Sequence, residues 1–161
     1  MSAAYTTIDA GEIALDPVVH PELYDGVRTR RMFAFLIDAA VILFLMLLVS
    51  LVIAVLGVFT FGLGWFLFPL VWPFVAVIYT MFTLGGPHSA TPGMRFAGVE
   101  VRMLSGAKLY PVMALLHSLG FWITVSFLTP LILLVSLASR RKRLVHDIVL
   151  GTVAVRSAPL P

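Results

Sequence analysis

Between Asp38 and Arg95 the chain carries no Asp, Glu, Lys or Arg. No other feature narrows the possible folds as much. A helix needs about 20 apolar residues to cross a bilayer. Residues 39–94 therefore have room for the rest of one span, a turn and a second span. Composition agrees. The chain is 60% hydrophobic and 12% charged, with a mean hydropathy of +1.04, whereas soluble domains average about 25% charged residues. These values point to an integral membrane protein. The pI near 9.7 does not indicate nucleic acid, because the bases cluster beside apolar segments, where anionic headgroups would meet them.

The punctuation of the sequence divides it further. "GVFTFGLGW" contains Gly57, Gly62 and Gly64 and marks a turn. The spacing predicts a first helix over 30–56 and a second over 64–84, with Trp65 and Trp72 near the start of the second as interfacial aromatics. Pro69 and Pro73 fall inside it, where a membrane helix tolerates them. A third apolar segment, 109–139, contains His117, Gly120 and Pro130. It is long for one upright helix and short for two spans. Crossing once would put "RRKR" (140–143) on the side opposite the other bases. Bending or re-entering near Thr129–Pro130 would put Arg28, Arg30 and Arg31, then Arg95, Arg102 and Lys108, then "RRKR" on one side, as the positive-inside rule asks. The sequence leaves both forms open.

The loop between the second and third segments ends in "GVEVRM", which alternates like a strand, and "SGA" offers a turn. "GTVAVR" near the C-terminus alternates more weakly. The expectation is a short β-hairpin at the membrane surface. The fold class is thus an all-α membrane protein: a small bundle of two clear transmembrane helices, a third Pro-bent or re-entrant segment, and that hairpin. Residues 1–27 hold five acids and no base, with Pro17 and Pro21, and read as a flexible tail and not a secretory signal. Residues 28–156 form the membrane domain and 157–161 a second tail.

Asp38 is the fault in the first span. A carboxylate at that depth costs roughly 3 kcal/mol on insertion scales, so something must offset it. Arg31 lies two turns earlier on nearly the same face, about 10.5 Å away along the axis. That is too far for an assured direct pair, and Arg31 can snorkel to headgroups. The candidate partners of Asp38 are His117, the Arg31 or "RRKR" side of the bundle, and Arg31 of a second copy. Asp38 is then either a proton or cation site or a fixed interhelical contact.

Asp147 follows four bases (Arg140, Arg141, Lys142 and Arg143) and is expected to pair with one of them or with Arg31. The four bases themselves read as a lipid-headgroup site. His146 reads as an interfacial histidine able to titrate near neutral pH. No metal is expected, because a metal needs three or four convergent ligands and "HD" alone supplies two. There is no cysteine, no Walker loop and no nucleophile–base set, so no enzyme activity and no cofactor is expected.

These residues together resemble the RDD family of bacterial membrane proteins, named for one arginine and two aspartates. "RMFAFLID" resembles its first-helix motif through Arg31, Ala34 and Asp38. "SATPGM" resembles its loop motif through Ala90, Thr91, Pro92 and Gly93. "RLVHDIVLGTVAV" resembles its closing motif through His146, Asp147, Gly151 and Thr152. Two positions depart from the pattern: Met94 stands where lysine is usual, and His117 where arginine is common. The resemblance makes Arg31, Asp38 and Asp147 the signature residues. It implies a multi-pass protein of the bacterial cytoplasmic (inner) membrane, and Arg28, Arg30 and Arg31 put its N-terminus in the cytoplasm. The expected partners are anionic lipid and further copies of the chain, and no nucleic acid. Two functions follow as expectations. One is transport of an unidentified ligand, cation or proton coupled through Asp38. The other is a non-transporting accessory or scaffold protein in which the same charges fix helix packing.

Overall fold

The computed structural model describes residues 15–139 and 141–157. Helix α1 runs Val27–Phe59, 33 residues, or about 50 Å at 1.5 Å per residue. It starts behind Gly26, which has a positive φ of 63°, and so begins earlier than the sequence predicts. Val27, Ala34, Asp38 and Ile42 share its buried face. Leu43, Phe44, Leu47, Leu51 and Val52 stand exposed around the rest. A helix apolar on all sides but not enclosed by protein is what a lipid-facing span presents.

The expected turn is present. Phe61 and Gly62 have positive φ, a 3-10 turn covers Leu63–Leu67, and α2 follows over Phe68–Leu84 with Pro73 inside it. Gly57 is required here, since a Cβ on it would lie 1.8 Å from Nε1 of the Trp65 indole, which donates to the Ala54 carbonyl at 3.3 Å. The stretches Pro21–Phe59 and Leu63–Leu84 are both long and apolar enough to cross a membrane.

Helix α3 is short, Pro92–Ala97, and is closed by Gly98 at φ 68°. Strand β1, Val99–Met103, pairs antiparallel with β2, Thr152–Arg156, from Val99↔Arg156 to Met103↔Thr152. The two alternating stretches do pair, but not as a hairpin: two helices lie between them in sequence. The turn around Ser105–Gly106 is local, joining Arg102 to Lys108 by one isolated bridge.

Helix α4 spans Pro111–Ala138. Helical backbone continues through Thr129–Pro130, so the chain is not interrupted there. One lost backbone bond is tolerable within an apolar helix. Helix α5, Val145–Val149, follows. The chain nevertheless returns to its starting end. Lys142 donates from Nζ to the Tyr24 carbonyl, Asp147 pairs with Arg31, and β2 joins β1. The basic clusters around residues 28–31, 95–108 and 141–143 therefore gather at one end of the molecule.

The N-terminal reading also needs correction. Residues 1–14 lie outside the described residues, as do 158–161 of the C-terminal tail. Residues 15–26 are not a free tail. Leu15, Leu23 and Tyr24 pack in one buried cluster with Val153 and Val155 of β2, and the Tyr24 hydroxyl donates to the Leu15 carbonyl at 2.6 Å.

Candidate functional site

Two buried carboxylates sit near the basic end, and they are answered differently. The first is Asp38, 7% exposed on α1. Its Oδ1 accepts from the Tyr79 hydroxyl at 2.7 Å and from the Gly93 backbone N–H at 2.8 Å. Its Oδ2 accepts from the Thr91 hydroxyl. Thr91 also caps α3, with its side-chain oxygen accepting from Met94 N–H at 3.1 Å. Pro92 occupies the first turn, where its missing N–H costs nothing. Gly93 permits the approach: a Cβ there would lie 2.3 Å from the Ala34 carbonyl oxygen and 2.8 Å from Asp38 Cγ. The small residues of "RMFAFLID" and "SATPGM" thus meet face to face, with the carboxylate fastening α3 onto α1.

Among the described residues, neither Arg31 nor His117 holds Asp38: Arg31 turns to Asp147 and His117 lies in the second cluster. Sequence reasoning missed Tyr79, whose hydroxyl in a charge-free span was a usable signal. Met94, where the family pattern has lysine, packs against two apolar clusters.

The second carboxylate is Asp147, fully buried on α5. Its Oδ2 accepts from Arg31 at 2.7 Å and from the Leu144 N–H at the start of α5 at 2.9 Å. Arg31 itself is only 11% exposed in its side chain. Burial alone would raise the Asp147 carboxyl. The Arg31 guanidinium outweighs that and holds it well below the usual carboxylate range.

On the Oδ1 side stand two histidines and a threonine. His146 Nε2 is 3.4 Å from Oδ1, His117 Nδ1 3.8 Å and Thr152 Oγ1 3.4 Å. The imidazoles meet edge to face, 4.9 Å between centroids. His146 is not interfacial as expected: it is 2% exposed, and burial pushes it down to about 3, so its ring is neutral at pH 7. Gly120 lets α5 approach α4, since a Cβ there would lie 3.1 Å from His146 Cβ.

His146 and Asp147 alone are too few to hold a metal, but the fold brings a third ligand to them: ligand atoms of His117, His146 and Asp147 lie within 4.8 Å of one another. Of the four bases read as a headgroup site, Arg140 lies outside the described residues. Lys142 contacts Tyr24, and the Arg143 N–H donates to the Ser139 hydroxyl at 3.3 Å. Arg30 donates to the Ala97 carbonyl at 2.7 Å, tying the end of α3 to α1.

A family model, RDD family, matches residues 26–151. No curated protein and no solved structure matches the chain.

Proposed function

The chain belongs to the RDD family, and from that premise we propose that it is a membrane scaffold or accessory protein whose signature charges are structural. One observation carries the reading: both oxygens of Asp38 are engaged, by Tyr79, Thr91 and Gly93. To bind and release a proton or cation in each cycle, this carboxylate would have to break those bonds or work through the one Oδ2 lone pair they leave. Arg31–Asp147 in turn fastens α5 to α1. Breaking such a buried pair costs about 3–5 kcal/mol, which suits a brace more than a moving part.

Transport is the second reading, favoured by the depth of Asp38 in an apolar span. Proteoliposomes separate the two. A sodium gradient applied across vesicles holding a pH-sensitive dye should move no more protons with the protein than without it. Sodium-dependent proton movement that Asp38→Asn abolishes, with the melting temperature kept, would establish transport instead.

The same scaffold reading places the protein in the cytoplasmic membrane with its basic end inside, as the gathered bases ask. The chain has no cysteine, so single-cysteine labelling reads this directly. In intact cells an impermeant maleimide should label Phe61→Cys, in the turn between α1 and α2, and leave Ser157→Cys unmodified until lysis.

A further inference from the structure

We propose that His117, His146 and Asp147, with Thr152 beside them, form a closed binding site for a divalent transition metal of the zinc class. This goes beyond the scaffold reading and does not depend on it.

The edges that meet Asp147 and Thr152 are close to those of a coordination shell, and the ligand atoms of the three residues, which lie within 4.8 Å of one another, would draw together on binding. Bonds of about 2.0–2.1 Å to tetrahedral zinc set ligand–ligand edges of about 3.3–3.5 Å. The edges here are 3.4 Å (His146 Nε2 to Asp147 Oδ1), 3.8 Å (His117 Nδ1 to the same oxygen), 3.4 Å (Thr152 Oγ1 to it) and 3.2 Å (Thr152 Oγ1 to His117 Nδ1). Two imidazoles and one carboxylate oxygen suit zinc and its neighbours and not the oxygen-seeking calcium or magnesium. The fourth position falls to Thr152 or to a water.

The surrounding bonds orient the ligands. Thr124 donates its hydroxyl hydrogen to the Gly120 carbonyl at 2.7 Å. With that hydrogen on Gly120, the threonine oxygen is placed to accept from His146 Nδ1, 3.0 Å away. Metal binding takes the tautomer with the proton on Nδ1, which turns the Nε2 lone pair toward Asp147, 3.4 Å away. That Nε2 is buried and makes no hydrogen bond among the described residues. A buried nitrogen without a partner is costly, and a metal would satisfy it. Asp147 is held from behind, with Arg31 and the Leu144 N–H on Oδ2 leaving Oδ1 toward the site. This is the outer-shell arrangement that fixes metal-ligating histidines and carboxylates. Arg31 also opposes the incoming positive charge, so the affinity falls below that of a like site without a neighbouring base. Because the ligands come from α4, α5 and the first residue of β2, the ion would tie the C-terminal segment to the membrane helix, coupling metal binding to its folding.

The test uses the full-length protein in detergent, purified without a histidine tag, stripped with chelator and titrated with Co2+. The expected result is one equivalent bound, with the visible d–d bands of four-coordinate cobalt, and a melting temperature raised by Zn2+. Thr124→Val leaves every ligand in place and should weaken binding about 10–100-fold. His117→Ala and His146→Ala should each abolish the bands. Wild-type protein that gives no bands and no zinc-dependent rise in melting temperature overturns the proposal, whatever the variants do. So do bands that survive in His117→Ala, which would place the cobalt elsewhere.

Discussion

Asp38 and Asp147 are both carboxylates at signature positions, both buried near the basic end, and each fastens α1 to a short helix. Asp38 is met by neutral donors, two hydroxyls and a backbone N–H. Asp147 is met by a guanidinium. The difference lies in what each contact asks of its carboxylate. Neutral donors need an acceptor of the right shape. A buried arginine needs a negative charge, because nothing else at that position would keep its own burial from being costly. Two aspartates that look alike in the sequence should therefore answer differently to the same substitution.

Asp147→Asn carries the largest expected effect. It keeps the size of the side chain and removes the charge facing Arg31, so stability should fall by about 3–5 kcal/mol, read by denaturant or thermal unfolding in detergent. A loss of under about 1 kcal/mol would mean that the pair is worth no more than a surface ion pair, and the contrast would collapse.

Gly93→Ala comes next and tests the Asp38 side by packing instead of charge. The added Cβ would meet the Ala34 carbonyl at 2.3 Å, backbone that cannot swing aside, so overpacking should cost about 1–3 kcal/mol. Gly120→Ala, on the Asp147 side, meets a side-chain Cβ at 3.1 Å and should cost less. If Gly120→Ala proves the worse of the two, the close approach that matters is α5 on α4 and not α3 on α1.

The two sites were not equally legible in the sequence. Arg31, Asp38, Thr91, Gly93 and Asp147 stood out because charge in an apolar run, and Thr-Pro-Gly after it, are local signals. The pairing of "GVEVRM" with "GTVAVR" was legible from alternation, although the hairpin form was not, since alternation says nothing about what lies between two strands. Partners were harder. Tyr79 is one tyrosine in a span without charge, and only the spatial meeting of α1 with α2 gives its hydroxyl a task. His117 was named as a candidate partner of Asp38, and only the packing of α5 beside Gly120 brings it to Asp147 instead. The packing of residues 15–26 was hidden for a related reason. Leu15, Leu23 and Tyr24 are scattered among acids and prolines and show no period, so only their tertiary contact with β2 orders them. Whether segment 109–139 stays helical past Thr129–Pro130 was open in the sequence, because proline is tolerated in a membrane helix and charge placement says nothing about local backbone bonds.

Asp38→Asn is the smallest effect and the sharpest half of the comparison. With its carbonyl oxygen in the place of Oδ1, asparagine still accepts from Tyr79 and Gly93. Its NH2 then faces Thr91. The threonine oxygen already accepts from Met94 N–H, but it has a second lone pair for the new donor. The Thr91 hydroxyl hydrogen loses its charged acceptor, a loss of about 1.5–3 kcal/mol, which the relieved burial cost of the carboxylate partly offsets, leaving a net loss of about 1 kcal/mol. Asp38→Ala removes the acceptor altogether and leaves donors from Tyr79, Thr91 and Gly93 to be satisfied elsewhere, at about 1–3 kcal/mol for each one left buried. The expected order of stability is therefore wild type, Asp38→Asn, Asp38→Ala, with the larger gap at the second step. At Asp147 the order of steps reverses, and the larger gap falls at the first, because charge and not shape is what Arg31 requires. Equal first steps at the two positions would show that Asp38 also answers to a charge, and the contact with α3 would then have to be described as an electrostatic one.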